Sequence, residues 1–279
     1  PYDQKKIEFA GRNGFGSIQL MISPGNPLDP IREGTDSVKA AKQFIENQGI
    51  EISAVGAISK LNCIHPDRTT REESLKFLIA AMDVCHILDV EILATYPGRD
   101  PDKSIEENIP RFKEIFTPLA GMAEDKGLKI VFENCPKFHY FPFRGVNIAY
   151  CPLAWDLMFD AVPSEALGIE YDPSHPVSMF SDYIEPIYQY GDRIYHVHAK
   201  DTEIMHQNLK LNGIFQPGMF RYRIPGCGDV DWKKFISALE DVGYRGNLDI
   251  EGGHDPEFSE GCEEEGLLMA KKFLSQFIV

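Results

Sequence analysis

The feature that most constrains this chain is an alternation of strand-like and helix-like segments from one end to the other. After a helical start at 4–10, the stretch Ser17-Ile18-Gln19-Leu20-Met21-Ile22 reads as a strand. A helix is expected at 38–47, ended by Gly49, with the next strand at 50–55. Thr70 to Leu88 carries Leu75, Leu78, Ile79, Met82 and Val84 at helical spacing. A strand at 90–94 and a helix at 104–125 follow, the latter stopped by Gly127. The same rhythm predicts strands at 129–133, 167–172, 193–198 and 247–251, and helices at 154–161, 181–190, 231–242 and 258–278.

Sustained alternation of this kind builds a parallel sheet covered by helices. Seven strands and eight helices, beginning with a helix, predict an α/β fold: a (β/α)8 TIM barrel whose first strand is missing ahead of Tyr2. A seven-stranded open sheet is the alternative. A single domain over 1–279 is expected, because no linker or low-complexity tract interrupts the pattern. Gly11, Gly14 and Gly16 lead from helix into strand, the reverse of a dinucleotide-binding loop, and read as a plain turn.

The formal net charge of −15 sets the chain against a phosphate-gripping, nucleic-acid-binding role. No apolar run approaches the roughly 20 residues of a membrane span, and no charged-then-apolar leader opens the sequence. The six cysteines are scattered without zinc-type spacing, which predicts free thiols and a cytoplasmic setting.

Chemistry concentrates where the later strands end, at Glu133, Asp172, His198 and Glu251. In a parallel barrel all C-terminal strand ends lie on one face, and that face carries the active site. Any one of these residues alone is ordinarily a loop residue or a helix cap. Four on successive strand ends, each behind an apolar strand body, are costly to bury without a cation. Three carboxylates and an imidazole suit Mn²⁺, Mg²⁺, Co²⁺ or Zn²⁺.

These residues sit in the motifs Phe132-Glu133-Asn134, Glu170-Tyr171-Asp172-Pro173-Ser174-His175, His196-Val197-His198-Ala199-Lys200-Asp201, Pro225-Gly226-Cys227-Gly228-Asp229-Val230-Asp231-Trp232 and Asp249-Ile250-Glu251. From Tyr2 onward the chain resembles the xylose isomerase-like TIM barrels. These include sugar and sugar-phosphate isomerases and epimerases, inosose dehydratase and isomerase, ketose 3-epimerases and, more remotely, endonuclease IV. The resemblance implies that Glu133, Asp172, His198 and Glu251 hold one divalent metal. It also implies a substrate-contacting role for His175, with a plain loop histidine as the alternative. An arginine before the Pro-Gly-x-Gly turn often faces substrate in similar sequences, so Arg223 is either a substrate contact or an anchor of the turn, with Arg221 beside it. Lys200 is a ligand for a substrate hydroxyl or phosphate, or half of a solvated pair with Asp201. Asp201 otherwise steers His198 or holds a second metal. His139 and His65, on loops over the same face, are pocket-lining or bystanders. His196 is expected to be structural, His254 a neighbour of Glu251 or a surface residue, and Trp155 and Trp232 core.

A metal on the oxygens of a hydroxy-carbonyl compound acidifies the adjacent C–H by stabilising an enediolate. Glu133 and Glu251 then serve as base and acid. The expected activity is isomerisation or epimerisation of a sugar, keto-sugar or inosose. The alternatives are dehydration on the same site, an endonuclease IV-like phosphodiesterase, and a non-catalytic sugar-binding barrel. The ketose 3-epimerases carry a Glu six residues past the first ligand and an Arg six past the ligand histidine; here His139 and Ile204 stand there. No Asp-x-His follows the His198 strand, which weighs against the phosphodiesterase. The expected partner is a small sugar or polyol, with no nucleic acid or membrane, in a homodimer or homotetramer. Loops 58–70 and 137–152 are expected to shape the substrate pocket.

Overall fold

Strong local signals set the helix boundaries. In this computed structural model, residues 2–58, 61–141, 143–259 and 261–278 are described; positions 59, 60 and 142, within the two loops expected to shape the pocket, lie outside them. In chain order the first elements are α1 (Gln4–Arg12), β1 (Ser17–Met21), α2 (Thr35–Asn47), β2 (Glu51–Ala57), α3 (Arg68–Leu88), β3 (Ile92–Thr95), α4 (Ile105–Asp125) and β4 (Lys129–Glu133). Next come β5 (Phe138–Tyr140), β6 (Phe143–Gly145), α5 (Pro152–Ala161), β7 (Leu167–Tyr171), α6 (Ser174–Ser178) and α7 (Glu185–Tyr190). The chain closes with β8 (Ile194–Ala199), β9 (Asp201–Ile204), α8 (His206–Asn212), β10 (Phe220–Arg223), α9 (Trp232–Asp241), β11 (Leu248–Ile250) and α10 (Glu263–Leu274).

Caps explain several of these limits. Asp67 accepts the Thr70 N–H at the start of α3, and Asp89 ends that helix in the left-handed region at φ 56°. Ser104 and Glu107 form a reciprocal capping box on α4. Asp231 accepts the Lys234 N–H and starts α9.

The chain divides into two compact units, one of 1–133 with 145–170 and one of 134–144 with 171–279. In the first, β1, β2, β3, β4 and β7 lie side by side in that order, all parallel. Strand β4 is buried from Ile130 to Glu133 and β7 along its whole length, as expected of parallel strands covered on both faces. Phe132 of β4 packs edge-on against Phe112 and Phe116 of α4, with ring centroids 5.7 and 5.1 Å apart. In the second unit β8 and β11 are parallel, with His198 opposite Asp249 and Ala199 opposite Ile250. Here Tyr171 stacks on Phe235 and Trp232 meets Phe235 edge-on.

The seven expected strands all appear as parallel strands. Two short pairs, β5·β6 and the antiparallel β9·β10, are additions that the alternation did not predict. Their three- and four-residue strands are too short to carry a readable period. Helices α6 and α8 were also unforeseen. The first is five residues long with Pro176 inside it, and the second buries no residue and so lacks an apolar stripe. The closing helix begins at Glu263 rather than Phe258, after Gly261 at φ 100°. Position 260, within the expected helix, lies outside the described residues.

Candidate metal centre

Three of the four expected ligands belong to the second unit. Asp172 follows β7 directly, His198 lies on β8, and Glu251 follows β11, where its N–H donates to Ala199 O at 3.1 Å. One ligand-competent atom from each of these three lies within 4.8 Å of the others. Asp172 and His198 are buried and Glu251 partly so. Asp172 is held from both sides, since its own N–H donates to Asn134 Oδ1 at 2.9 Å while Asn134 Nδ2 donates to its carbonyl at 3.0 Å. Its Oδ1 accepts the Ser174 N–H at 2.8 Å.

Lys200 leaves β8 two residues after His198 and is itself buried. Its ammonium stands 2.9 Å from Asp172 Oδ2 and 2.6 Å from Glu251 Oε2. It also lies 3.4 Å from His175 Nε2 and 4.8 Å from the centre of the Tyr222 ring. Glu251 Oε1 meets His254 Nε2 at 2.9 Å, and Oε2 lies 3.8 Å from His198 Nδ1. His175 is buried, with Nε2 3.4 Å from Asp172 Oδ2 and Nδ1 3.1 Å from the Tyr222 hydroxyl.

Two carboxylates and an imidazole converging in a largely buried corner are a hard, oxygen-rich donor set. One ammonium leaves the two carboxylates one positive charge short. The set fits a divalent cation of the Mg²⁺, Mn²⁺ or Zn²⁺ kind, and three protein ligands leave coordination positions for a substrate.

Glu133 belongs to the first unit. It ends β4 opposite Glu170 of β7 and is buried. The parallel register explains its partner: Thr95 lies opposite Phe132, so the next residues, Tyr96 and Glu133, leave their strands side by side. The Tyr96 hydroxyl donates to Glu133 Oε2. Asn147 Nδ2 holds the Glu133 carbonyl at 3.0 Å. In the same unit Gln19 Nε2 donates to Glu170 Oε1 at 2.5 Å.

Arg223 is buried, with Nε 3.0 Å from Asp255 Oδ2, Nη1 2.6 Å from Glu203 Oε2 and Nη2 2.9 Å from Glu257 Oε2. These contacts tie β10 to β9 and to the loop after β11, which is the anchoring alternative. Arg221 meets the same Glu203 at 2.7 Å. His139 is exposed in the middle of β5. His65, in the first unit, precedes α3, and its Nδ1 accepts the Asp67 N–H at 3.0 Å. His196 bonds Asp249 through Nε2 at 2.9 Å.

Asp201 is a structural hub. Its carboxylate accepts the N–H groups of Thr202 (2.8 Å), Gly226 (3.0 Å) and Val230 (3.0 Å) and the Trp232 indole N–H (2.8 Å). Burial pushes its carboxyl above the usual aspartate range against the downward pull of those four bonds. The hub accounts for the second glycine of the Pro-Gly-x-Gly turn, because a Cβ on Gly228 would fall 2.3 Å from Asp201 Oδ1.

Sequence reasoning missed Tyr222. Phe220 and Tyr222 share one face of β10 while Arg221 and Arg223 share the other. The residue between the two arginines is the one beside Lys200 and His175. Its pKa is raised chiefly by burial.

Residues 7–272 match the family described as xylose isomerase-like TIM barrel. An inosose dehydratase of Clostridium perfringens is 25% identical over 177 residues, covering 61% of this chain and 55% of that protein. The crystal structure of the IOLI protein with a bound zinc atom superimposes with a TM-score of 0.76 at 22% identity, covering 100% of this chain and 95% of that one. D-allulose 3-epimerase from Methylomonas sp., in complex with D-allulose, gives a TM-score of 0.71 at 21% identity, covering 98% and 90%.

Proposed function

Because this chain belongs to the xylose isomerase-like TIM-barrel family, we propose that it is a metal-dependent isomerase or epimerase of a sugar, keto-sugar or inosose. The observation that carries the reading is the convergence of Asp172, His198 and Glu251 within 4.8 Å of one another. Glu133 is the fourth ligand in this proposal, on the strength of its place at a strand end in the family motif. The family match runs through both compact units, which supports a single barrel domain. A zinc atom in one similar structure and allulose in another agree with a divalent metal and a sugar substrate. Free cysteines and an acidic chain agree with a cytoplasmic enzyme, and no helix among the described residues is long and apolar enough to cross a membrane.

When bound, the cation polarises the carbonyl and hydroxyl oxygens of the substrate and so acidifies the intervening C–H. The protein's own residues do the rest. Glu251, one carboxylate oxygen on Lys200 and the other on His254, is held by two nitrogen groups and presents a fixed carboxylate. In this proposal it exchanges a proton with the substrate carbon, and Glu133, held by Tyr96, is the second acid–base group on the strength of the family motif. Lys200 and His175, joined through Tyr222, bind and orient substrate oxygens. Return of the proton to the same carbon from the opposite face epimerises; return to the neighbouring carbon isomerises.

A second reading, dehydration of an inosose or keto-sugar, is favoured by the similarity to inosose dehydratase. It uses the same proton removal followed by loss of a β-hydroxyl. Metal analysis of the purified protein, then incubation with ketoses, aldoses and inososes in D₂O, tests both. Retained divalent metal and deuterium entering a carbon-bound position are expected, with the deuterium lost in Glu251→Gln. Product short of one water selects dehydration. A metal-free protein that exchanges no C–H in any of these compounds overturns the proposal.

A further inference from the structure

Beside Lys200 and His175 the second unit carries more aromatic rings than a bare sugar needs. Tyr222, which touches Lys200 and His175, is the inner end of a row of rings. Phe220 lies 5.2 Å from Tyr222, Phe138 lies 6.4 Å from Phe220, Phe143 stacks at 5.7 Å on Phe138, and Phe215 meets Phe143 edge-on at 5.0 Å. The row ends in solvent, where Phe215 is 63% exposed. Strand parity builds it. Phe220 and Tyr222 share a face of β10 because they are two residues apart. The opposite face is fixed by the Arg221 and Arg223 ion pairs to Glu203, Asp255 and Glu257. The short pair β5·β6 supplies Phe138 and Phe143.

A monosaccharide is about as wide as one ring spacing, so Tyr222 alone gives it an apolar face. Four further rings extend beyond the reach of a free sugar; Phe138, Phe143 and Phe220 are half-buried and Phe215 at the outer end is exposed, so the row offers ring edges and faces to a ligand that continues past Tyr222. We propose that the row receives an apolar, ring-bearing substituent on the sugar, so that the substrate is a substituted sugar rather than a free one. The occupant follows from continuity: the row begins on the same tyrosine that contacts Lys200 and His175. This inference rests on the metal-dependent sugar chemistry proposed above and names the class of compound that the site accepts. Ring-on-ring contacts of this geometry contribute on the order of tenfold in affinity for one well-seated ring.

The test is calorimetry on Mn²⁺-loaded full-length protein with matched methyl and phenyl glycosides of a panel of hexoses and pentoses. The phenyl member of at least one pair is expected to bind about tenfold more tightly than its methyl partner. That preference should collapse in Phe143→Leu and in Phe215→Ala, whose exposed site tolerates truncation, while metal content stays as in the parent. Equal binding of both members, no binding across the whole panel, or a preference that survives both substitutions overturns the proposal. So does a dimer-to-monomer shift of Phe215→Ala in sedimentation without a change in glycoside preference, which makes the row a contact between copies of the chain. A protein that retains no metal yet prefers phenyl glycosides overturns the catalytic reading and leaves the row as a binding site in its own right.

Discussion

Replacing Arg223 by methionine separates an anchoring role from a substrate-binding one. The guanidinium serves three carboxylates of unequal burial: the Asp255 side chain is 0% exposed, Glu203 32% and Glu257 53%. Exposed pairs contribute about 0–1 kcal/mol each, whereas leaving one member of a buried pair unpartnered costs about 3–5 kcal/mol. The loss is therefore dominated by Asp255. Two backbone donors, Ile224 N–H at 2.9 Å and Glu257 N–H at 2.8 Å, continue to serve that carboxylate. They place Arg223→Met near the lower end, at about 3 kcal/mol. At about 2 °C per kcal/mol for a chain of this size, the melting temperature should fall by about 6 °C. Arg223→Lys should fall between, because an ammonium cannot span the three acceptors. A double-mutant cycle with Asp255→Asn, read by urea unfolding, should return a coupling of about 2 kcal/mol. A coupling near zero, or an unchanged melting temperature with weakened substrate binding, would refute the anchoring argument and restore the substrate-facing one.

Two further outcomes follow from buried groups. Asp201→Ala strands four N–H donors and should cost about 3–4 kcal/mol in urea unfolding while divalent metal content stays unchanged; loss of metal with stability intact would make Asp201 a ligand instead. Because burial raises the Asp201 pKa in the fold, the protonated form is favoured there. Its contribution is thus present below the unfolded value of about 3.9 and declines as pH rises from there through the folded pKa, so the stability advantage of the parent over Asp201→Asn should shrink across that window. Burial also pushes the Cys63 thiol up to about 12 and raises the Cys85 thiol as well, while Cys262 is exposed. A disulfide-exchange reagent followed by peptide mass analysis should label Cys262 in the native protein and Cys63 and Cys85 only after denaturation; rapid native labelling of either buried thiol contradicts the packing described.

Periodicity is a local property, and the sequence alone determined what depends on it. Each strand from Ser17 to Ile250 that alternation predicted is present, as are α3, α4 and α9. Asp172, His198 and Glu251 were legible as a group because a parallel sheet puts like ends of its strands on one side. Their approach within 4.8 Å follows from that rule. Facing, by contrast, depends on parity and on what packs across the chain, and one residue of slip reverses it. That is why Arg223 stood open between a substrate contact and an anchor of the turn: its partners Asp255 and Glu257 lie about thirty residues away. It is also why Tyr222 passed unnoticed. Only the tertiary structure set the Lys200 ammonium between two carboxylates and turned Asp201 from a possible ligand into the clasp of a turn, since both outcomes depend on contacts whose partners are remote in sequence.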